Sequence, residues 1–271
     1  MIPVPYVAPI VVSPAIPIIS TSVLIPPSVF RHITEGGPIC RVLFNPNDAS
    51  SETMHGTGFL CKIPSENNNI SGLITCAHVL PGVTENVLAK CTFDFGAPIG
   101  TKNAKDIIAS DRMHYSSQEK NLDFTFLSLN ESFMKDLNSC KRIFLEVGAA
   151  TVGETVSIKQ YPFAGPAKIA DGRITKINYE NNEFEHQVST DKGSSGAPVI
   201  NDKGEVVGMH HGASLQGQSQ NGDRLQRNAT YYTENINLAI NITAIVEYMH
   251  SQSRTGITIA DIYHDNPDQA N

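Results

Sequence analysis

Hydrophobic and polar residues alternate along several short segments of this chain, with the period of a β-strand that buries one face. Polar or glycine-rich turns separate most of these segments. The clearest segments are Cys40–Phe44, Thr57–Ile63, Ser71–Thr75, Val152–Ile158, Gly172–Asn178 and Phe184–Val188. The pattern predicts an all-β protein rather than a helical bundle.

The two ends of the chain depart from this alternation. Residues 1–37 are apolar but rich in proline, which predicts an extended arm that packs along the body of the protein. The alternative is an arm that contacts a partner or regulates the cleft. Residues 236–252 are predicted to form a closing helix with Asn237 as a possible cap, and residues 253–271 a polar tail. One face of that helix carries Leu238, Ile242, Ile245, Val246 and Met249.

At 271 residues the chain is long enough for two lobes. We assign residues 38–146 to an N-terminal β-barrel and residues 147–235 to a C-terminal β-barrel. The long polar loop over residues 216–227 is placed at one side of the cleft between them.

The charge and composition exclude several classes of function. The net charge is −7 and no basic cluster stands out, so no nucleic-acid partner is expected. No zinc-type Cys/His spacing and no Walker loop is found, so neither a metal nor a cofactor is expected. The prolines interrupt the only long apolar stretch, so no membrane partner is expected.

The cysteines and the N-terminus indicate a location inside the cell. The five cysteines form an odd, scattered set, which favours free thiols in a reducing compartment. The first 30 residues lack the basic start of a secretory signal. We therefore expect the cytoplasm or the nucleus.

Residues 191–198, with the sequence DKGSSGAP, carry the strongest chemical signal. A serine pair between two glycines suits a hydroxyl exposed on a tight loop, because glycine tolerates the required backbone angles. The N–H groups of Gly193 and Ser195 are candidates for an oxyanion hole, and the hydroxyl of Ser195 is the candidate nucleophile.

A serine nucleophile needs a base, and His78 is the candidate. It follows the apolar run Gly72–Ala77. For a lone histidine in such a run, a structural role in the core is the more common reading. Two carboxylates are candidates for orienting the imidazole: Asp123, at the start of an apolar strand, and Asp94, which lies close after His78 and before a turn. Asp123 is favoured.

Taken together, the motifs resemble those of the trypsin-like, chymotrypsin-fold serine peptidases. The matching pieces, in family order, are Thr75–His78, Asp123–Leu127, Gly193–Pro198 and Gly204–Gly212. The resemblance implies two six-stranded antiparallel β-barrels with the active site between them and a C-terminal helix. It also implies endopeptidase activity, with His78 as base, Asp123 as orienting acid and Ser195 as nucleophile.

Within that family the motifs look most like those of the glutamyl endopeptidases, and some features are shared with intracellular trypsin-like peptidases. Thr190 and His210 match the residues that bind a glutamate or glutamine side chain in such enzymes, and both can donate hydrogen bonds. Each also has a structural interpretation: His210 as a hydrogen-bonded histidine on a buried strand, and Thr190 as a β-prone residue before a loop. His211 is expected on the opposite face of its strand, in a structural or exposed position. Ser194 replaces the aspartate of the secreted enzymes, so their usual activation switch is not expected.

The motifs bear on three classes of function. The favoured function is a serine endopeptidase that acts on protein or peptide substrates. The alternative is a latent or inactive member used as a binding module. An α/β-hydrolase is rejected for two reasons. Such enzymes have a Gly-x-Ser-x-Gly elbow, which is missing around Ser195, and their catalytic histidine comes last in the chain, whereas His78 comes first here.

Overall fold

The computed structural model describes residues 30–32, 37–46, 53–65, 69–110, 114–117, 122–213 and 236–254. Three segments discussed above lie outside these residues: positions 1–29 of the arm, the polar loop 216–227 and the tail after residue 254.

Strands make up most of the regular secondary structure among the described residues. The strands are β1 (Arg31–His32), β2 (Ile39–Phe44), β3 (Met54–Ile63), β4 (Ile70–Thr75), β5 (Cys91–Asp94), β6 (Thr101–Asn103), β7 (Tyr115–Ser117), β8 (Phe124–Ser128), β9 (Leu145–Glu146), β10 (Thr155–Gln160), β11 (Lys168–Asn178), β12 (Glu183–His186), β13 (Pro198–Asn201), β14 (Val206–Ala213) and β15 (Asn237–Asn241). The α-helices are α1 (Glu85–Ala89), α2 (Ala104–Ile107), α3 (Glu131–Ser139) and α4 (Ile242–Arg254).

The strands form two sheets. The first has the order β6-β5-β2-β3-β4-β8-β7, with β9 added beside β3. The second has the order β11-β10-β13-β14-β15-β12, and β12 pairs again with β11, so these six strands close into a barrel. At the outer edge of β11, Arg31 of β1 pairs with Ile169. This arrangement, with one closed six-stranded barrel, a second sheet and few helices, confirms the predicted all-β, chymotrypsin-like fold class. The first sheet has eight strands, where the resemblance implied six; we refer to the two sheets as the first and the second barrel.

Each sheet is held by its inward-facing side chains. In β3, residues 56–61 are all buried, because the strand lies at the centre of the first sheet between β2 and β4. In the second sheet, alternate residues of β10 are buried, with Val156 and Ile158 in the core. The loops of the site therefore begin and end on strands whose side chains are packed in the core.

Three strands in the second half of the chain differ from the predicted boundaries. Strand β11 begins at Lys168, four residues before the predicted Gly172. Strand β10 begins at Thr155 rather than at Val152, because residues 151–154 form a turn in which the N–H of Glu154 donates to the carbonyl of Thr151 (3.1 Å). Strand β12 ends at His186 rather than at Val188.

The C-terminal helix begins later than residue 236, the predicted start. Residues 237–241 form β15, which pairs with both β14 and β12. Asn237 is therefore a strand residue and not a helix cap; its side-chain amide donates to the carbonyl of Val188 (2.7 Å). Leu238 likewise lies in the strand, and the helical face starts at Ile242. The backbone hydrogen bonds offered by two neighbouring strands outweigh the local helical spacing.

Two of the short helices have caps that the sequence shows. The Asn130 side chain accepts a hydrogen bond from the N–H of Phe133 (2.8 Å) at the start of α3. Thr84 does the same for α1 through the N–H of Val87 (3.3 Å). Among the described residues, none of the helices is long and apolar enough to cross a membrane.

Candidate active site

His78 stands on a tight turn directly after β4. The N–H groups of Val79 and Leu80 both donate to the carbonyl of Cys76 (3.1 and 3.0 Å), which closes the turn. Val79 and Leu80 are buried, whereas 46% of the His78 side chain is exposed. The turn thus anchors its apolar residues in the core and projects the imidazole outwards.

Asp123 holds His78 at two points. Its Oδ1 accepts the backbone N–H of His78 (2.8 Å), and its Oδ2 contacts the ring Nδ1. Burial raises the pKa of Asp123, but the hydrogen bonds and charge of His78 outweigh this effect and hold the pKa below its usual value. The carboxylate is therefore ionised at neutral pH and keeps the proton of the imidazole on Nδ1.

Asp94, the other candidate for orienting the imidazole, has different contacts. Its Oδ2 lies 3.3 Å from Nη1 of Arg41, and its Oδ1 accepts the N–H of Gly96 (3.0 Å). It therefore closes the turn after β5 and does not contact His78.

The loop between residues 190 and 197 has two glycines with left-handed backbone angles, Gly193 (φ +91°) and Gly196 (φ +86°). A Cβ at Gly193 would lie 2.6 Å from the carbonyl oxygen of Tyr161, and one at Gly196 would lie 2.1 Å from the carbonyl oxygen of Thr57. Both positions thus require glycine for its angles and for its lack of a side chain.

The carbonyl groups of this loop are held so that two N–H groups stay available. The carbonyl of Lys192 accepts the N–H of Phe163 (2.5 Å), and the carbonyl of Ser194 accepts the N–H of Ala197 (3.0 Å). In a trans peptide the N–H points away from the carbonyl. The N–H groups of Gly193 and Ser195 therefore point away from these partners, and within the described part of the chain neither is hydrogen-bonded.

The loop lies against the His78 turn. A Cβ at Gly56 would lie 2.7 Å from Val79 and 2.9 Å from the carbonyl oxygen of Ser195. At this point only the backbone of Gly56 lies between the His78 turn and the Ser195 loop. A Cβ at Gly196 would lie 3.1 Å from the backbone nitrogen of Cys76. Ser195 is half-buried at this junction. The structure thus brings the segments of all three predicted catalytic residues together.

Thr190 and His210 belong to the second barrel, beside the same loop. The N–H of Gly196 donates to the carbonyl of His210, and the N–H of His210 donates to the carbonyl of Ala197 (both 2.8 Å). Thr190 is half-buried in the segment after β12, and the preceding carbonyl, of Ser189, accepts the side chain of Gln160 (2.9 Å). Both predicted pocket residues therefore flank the Ser195 loop.

His210 is backed by a second buried histidine, which the motif comparison did not identify. Nε2 of His186 lies 3.3 Å from Nδ1 of His210, and the N–H of Val188 donates to Nδ1 of His186 (3.3 Å). Burial lowers the pKa of His186 to about 3 and lowers that of His210 well below its usual value. Both rings are therefore neutral at pH 7. His186 carries its proton on Nε2 and donates it to His210, so His210 carries its own proton on Nε2.

His211 occupies a position closer to the site than predicted. Its Nε2 lies 3.0 Å from Oε1 of Glu183, and both side chains are largely buried. Burial lowers the pKa of His211, and the nearby charge of Asp123 opposes that change. The pairing of β14 with β15 shifts register between His210 and Gly212, so simple strand alternation does not describe this position. The nearness of His211 to Asp123 depends on the packing of one barrel against the other.

Three potential metal-ligating atoms meet at this site. The thiol of Cys76 and the side chains of His78 and Asp123 lie within 4.8 Å of one another. Burial raises the pKa of the Cys76 thiol well above its usual value, and the thiol hydrogen-bonds the carbonyl of His210 (3.5 Å). The Cys76 thiol is therefore protonated and engaged in a hydrogen bond in this structure.

Comparison with known proteins agrees with this geometry. A family model described as a trypsin-like peptidase domain matches residues 56–209, more than half of the chain. The chain belongs to the trypsin-like peptidase family. This confirms the coarser resemblance, to serine peptidases of the chymotrypsin fold. No curated protein sequence matches the chain.

Solved structures of similar fold include viral and bacterial proteins. The trypsin-like peptidase superimposes on the serine protease domain of the Sesbania mosaic virus polyprotein with a TM-score of 0.54 and 17% identity, covering 81% of this chain and 97% of the viral one. A second Sesbania mosaic virus structure, which concerns the coupled folding and binding of the intrinsically disordered VPg protein, gives 0.52 and 18%, covering 81% and 95%. The serine endoprotease from Yersinia pestis gives 0.53 and 14%, covering 82% and 65%. At these identities the likeness concerns the fold alone.

Proposed function

We propose that this trypsin-like peptidase is a serine endopeptidase that cleaves peptide bonds through an acyl-enzyme on Ser195. The observation that carries the proposal is the double contact of Asp123 with His78, next to the loop that bears Ser195. With the proton kept on Nδ1, Nε2 of His78 is unprotonated and can act as a base.

The reaction has two halves. As Oγ of Ser195 bonds to the substrate carbonyl carbon, its proton moves to Nε2 of His78 and an oxyanion forms. The N–H groups of Gly193 and Ser195 stabilise that oxyanion. When the C–N bond breaks, His78 gives the proton to the leaving amine. A water molecule then gives a proton to His78 while its oxygen attacks the acyl carbon, and Ser195 leaves with that proton.

We further propose that Thr190 and His210 bind a glutamate or glutamine side chain at the residue before the cleaved bond. The neutral His186–His210 pair supports this, because its proton arrangement leaves a donor on Nε2 of His210. In the substrate-free protein this ring also hydrogen-bonds the backbone of Leu238, and a substrate oxygen would take its place. A neutral donor favours the glutamine amide at pH 7, because burying a carboxylate without a cation is costly.

Labelling with a fluorophosphonate tests the nucleophile directly, because the reagent modifies only activated serines. We expect the wild-type protein to be labelled on Ser195, as read by peptide mass spectrometry, and Ser195→Ala to remain unlabelled. His78→Ala is expected to react several orders of magnitude more slowly, since the base and the nucleophile act as a unit.

Ser194→Ala is the matched control for this experiment, because it removes the neighbouring hydroxyl. Ser194 is buried and its oxygen accepts the N–H of Asp191 (3.0 Å), so it is turned into the loop. This variant should still be labelled on Ser195. A label on Ser194, or no label on a folded wild-type protein, would reject the proposed nucleophile and favour the binding-module alternative.

A further inference from the structure

Thr57 of β3 contacts the Ser195 loop with its backbone and its side chain, although it belongs to the other barrel. Its hydroxyl donates to the carbonyl of Gly193 (2.9 Å), and its backbone N–H donates to the carbonyl of Ser195 (2.8 Å). The side chain is fully buried. Two of the four peptide groups between residues 192 and 196 are thus held by this one residue.

The hydroxyl of Thr57 has a fixed direction because both of its functions are in use. Besides donating to Gly193, it accepts the backbone N–H of Tyr161 (3.0 Å). A hydroxyl has a single proton, so donating to one partner and accepting from the other leaves it no alternative orientation. Tyr161 in turn lies two residues before Phe163, whose N–H holds the carbonyl of Lys192.

We propose that Thr57 is a positioning residue for the oxyanion hole. It binds the Gly193 carbonyl directly and, through Tyr161, the segment that holds the Lys192 carbonyl. The Lys192–Gly193 and Gly193–Ser194 peptide planes then have one orientation each, and the N–H of Gly193 points towards the space in front of Ser195. Without the hydroxyl, the Gly193 carbonyl and the Tyr161 N–H lose their buried partner, and the loop can rotate to find others.

Ser194 explains why the loop needs support from outside. In this chain the residue before the nucleophile is a buried serine whose hydrogen bonds, to the N–H and the carbonyl of Asp191, are local to the loop. These bonds shape the turn but do not attach it to the barrels. The bonds from Thr57 attach the loop to the first barrel, and the bonds with Phe163 and His210 attach it to the second. A correctly oriented oxyanion hole therefore depends on the docking of the first barrel against the second.

The inference rests on the proposed role of Ser195, and three variants test it. Thr57→Val keeps the shape and removes the hydroxyl, whereas Thr57→Ser keeps the hydroxyl. Thr84→Val is the matched control, because it removes a partly buried threonine hydroxyl from the same half of the chain; that hydroxyl caps α1 by accepting the N–H of Val87 (3.3 Å) and holds neither the Ser195 loop nor the His78 turn. All three are compared for kcat, for KM and for the pKa of the oxyanion in a peptidyl trifluoromethyl ketone adduct, measured by ¹⁹F NMR.

Thr57→Val is expected to lower kcat about 10- to 100-fold with KM nearly unchanged, somewhat less than the loss of a direct oxyanion donor. It should also raise the oxyanion pKa, because the oxyanion is less well stabilised. Thr57→Ser and Thr84→Val should stay within about threefold of wild type in kcat. A Thr57→Val variant with wild-type kcat and oxyanion pKa would overturn the inference and leave Thr57 a purely structural residue.

Amide hydrogen exchange separates this inference from the proposed function, because it needs no turnover. Thr57→Val should speed the exchange of the Ser194, Gly196 and Ala197 amides relative to Thr57→Ser and Thr84→Val. If the wild-type protein neither cleaves nor reacts, the proposed function fails, and the exchange data still decide whether Thr57 holds the loop. Equal exchange in all three variants would reject the inference even if the enzyme is active.

Discussion

Asp123 binds His78 through both the backbone N–H and the ring Nδ1 of that residue. The first bond fixes where the turn after β4 sits, and the second fixes how its imidazole is oriented and which nitrogen carries the proton. A single carboxylate directly before β8 thereby positions a side chain in the turn that follows β4, the strand with which β8 pairs. Loss of the Asp123 carboxylate should therefore act most specifically on the orientation and protonation of the His78 imidazole.

Asp123→Asn is expected to lower kcat by roughly 10³- to 10⁴-fold while the fold is retained. The amide can still accept the backbone N–H of His78, but it favours the wrong tautomer of the imidazole. The measurement is the steady-state rate on a cleavable peptide, together with circular dichroism of the variant.

Asp94→Asn is the matched control for that variant. Asp94 pairs with Arg41 and caps a turn at Gly96, so its substitution should reduce stability by about 1 kcal/mol at most and leave kcat nearly unchanged. A larger loss of activity in Asp94→Asn than in Asp123→Asn would reverse the assignment of the two carboxylates.

Gly193→Ala should inactivate the enzyme, and Gly204→Ala should not. Both glycines have left-handed angles, φ +91° and +83°, so both alanines cost roughly 1–2 kcal/mol in backbone strain. A Cβ at Gly204 meets no atom within 4 Å, whereas one at Gly193 collides with the carbonyl of Tyr161. We expect the Gly193 variant to lose about 100-fold or more in kcat because the oxyanion donor moves. Equal kcat in the two variants would contradict the role of the Gly193 N–H.

Selectivity should depend on His210 and should change with pH. On peptides that differ only in glutamine, glutamate or leucine before the cleaved bond, His210→Ala should reduce kcat/KM for glutamine about 10-fold or more relative to leucine, the equivalent of one lost hydrogen bond. As the pH falls, glutamate should gain on glutamine, because protonation of His210 next to a bound carboxylate supplies the missing cation. Burial, and after it the nearby His186, His211 and His78, lower the pKa of His210 and oppose that protonation. A glutamine-to-glutamate ratio that does not change between pH 8 and 5 would reject this pocket.

The buried histidines should make the protein sensitive to mild acid. Burial lowers the pKa of His186 to about 3 in the folded protein, and unfolded histidine titrates near pH 6.5. Between these values the unfolded state binds the proton and the folded state does not, so stability falls as pH decreases through this window. The expected slope is about 1.4 kcal/mol per pH unit for each such histidine.

Asp123 acts in the same direction at lower pH. Its pKa is lowered by His78, so the stability it contributes is present above its ordinary value and is lost as pH falls through the lowered one. Urea unfolding at several pH values measures the whole profile, and a flat profile between pH 6.5 and 4 would contradict the neutral state of the His186–His210 pair.

The fold and the central residues of the site could be predicted because their signals are local. The strands β2, β4 and β11 have alternating or continuously apolar sequences, and the turn around Gly193 needs glycines at particular places. Asp123 could be preferred over Asp94 because a carboxylate at the start of an apolar strand needs a partner.

The remaining features depend on contacts between segments far apart in the sequence. Thr57 is a β-prone residue in a strand, and only the packing of the two barrels places its hydroxyl against Gly193 and Tyr161. The pairing of His186 with His210 arises because β12 and β14 flank β15 in the same sheet. The segment 237–241 has apolar residues at spacings that suit both a strand and a helix, and its neighbours in the sheet decide between them.

The most direct test of the central claim is cleavage of a diverse peptide library by the purified protein, with Ser195→Ala as the control and mass spectrometry as the readout. The account predicts internal cuts after glutamine or glutamate that disappear in the control. Cuts after large apolar residues would keep the nucleophile and reject the pocket of Thr190 and His210. Cuts of equal rate by wild type and Ser195→Ala would contradict the account at its centre.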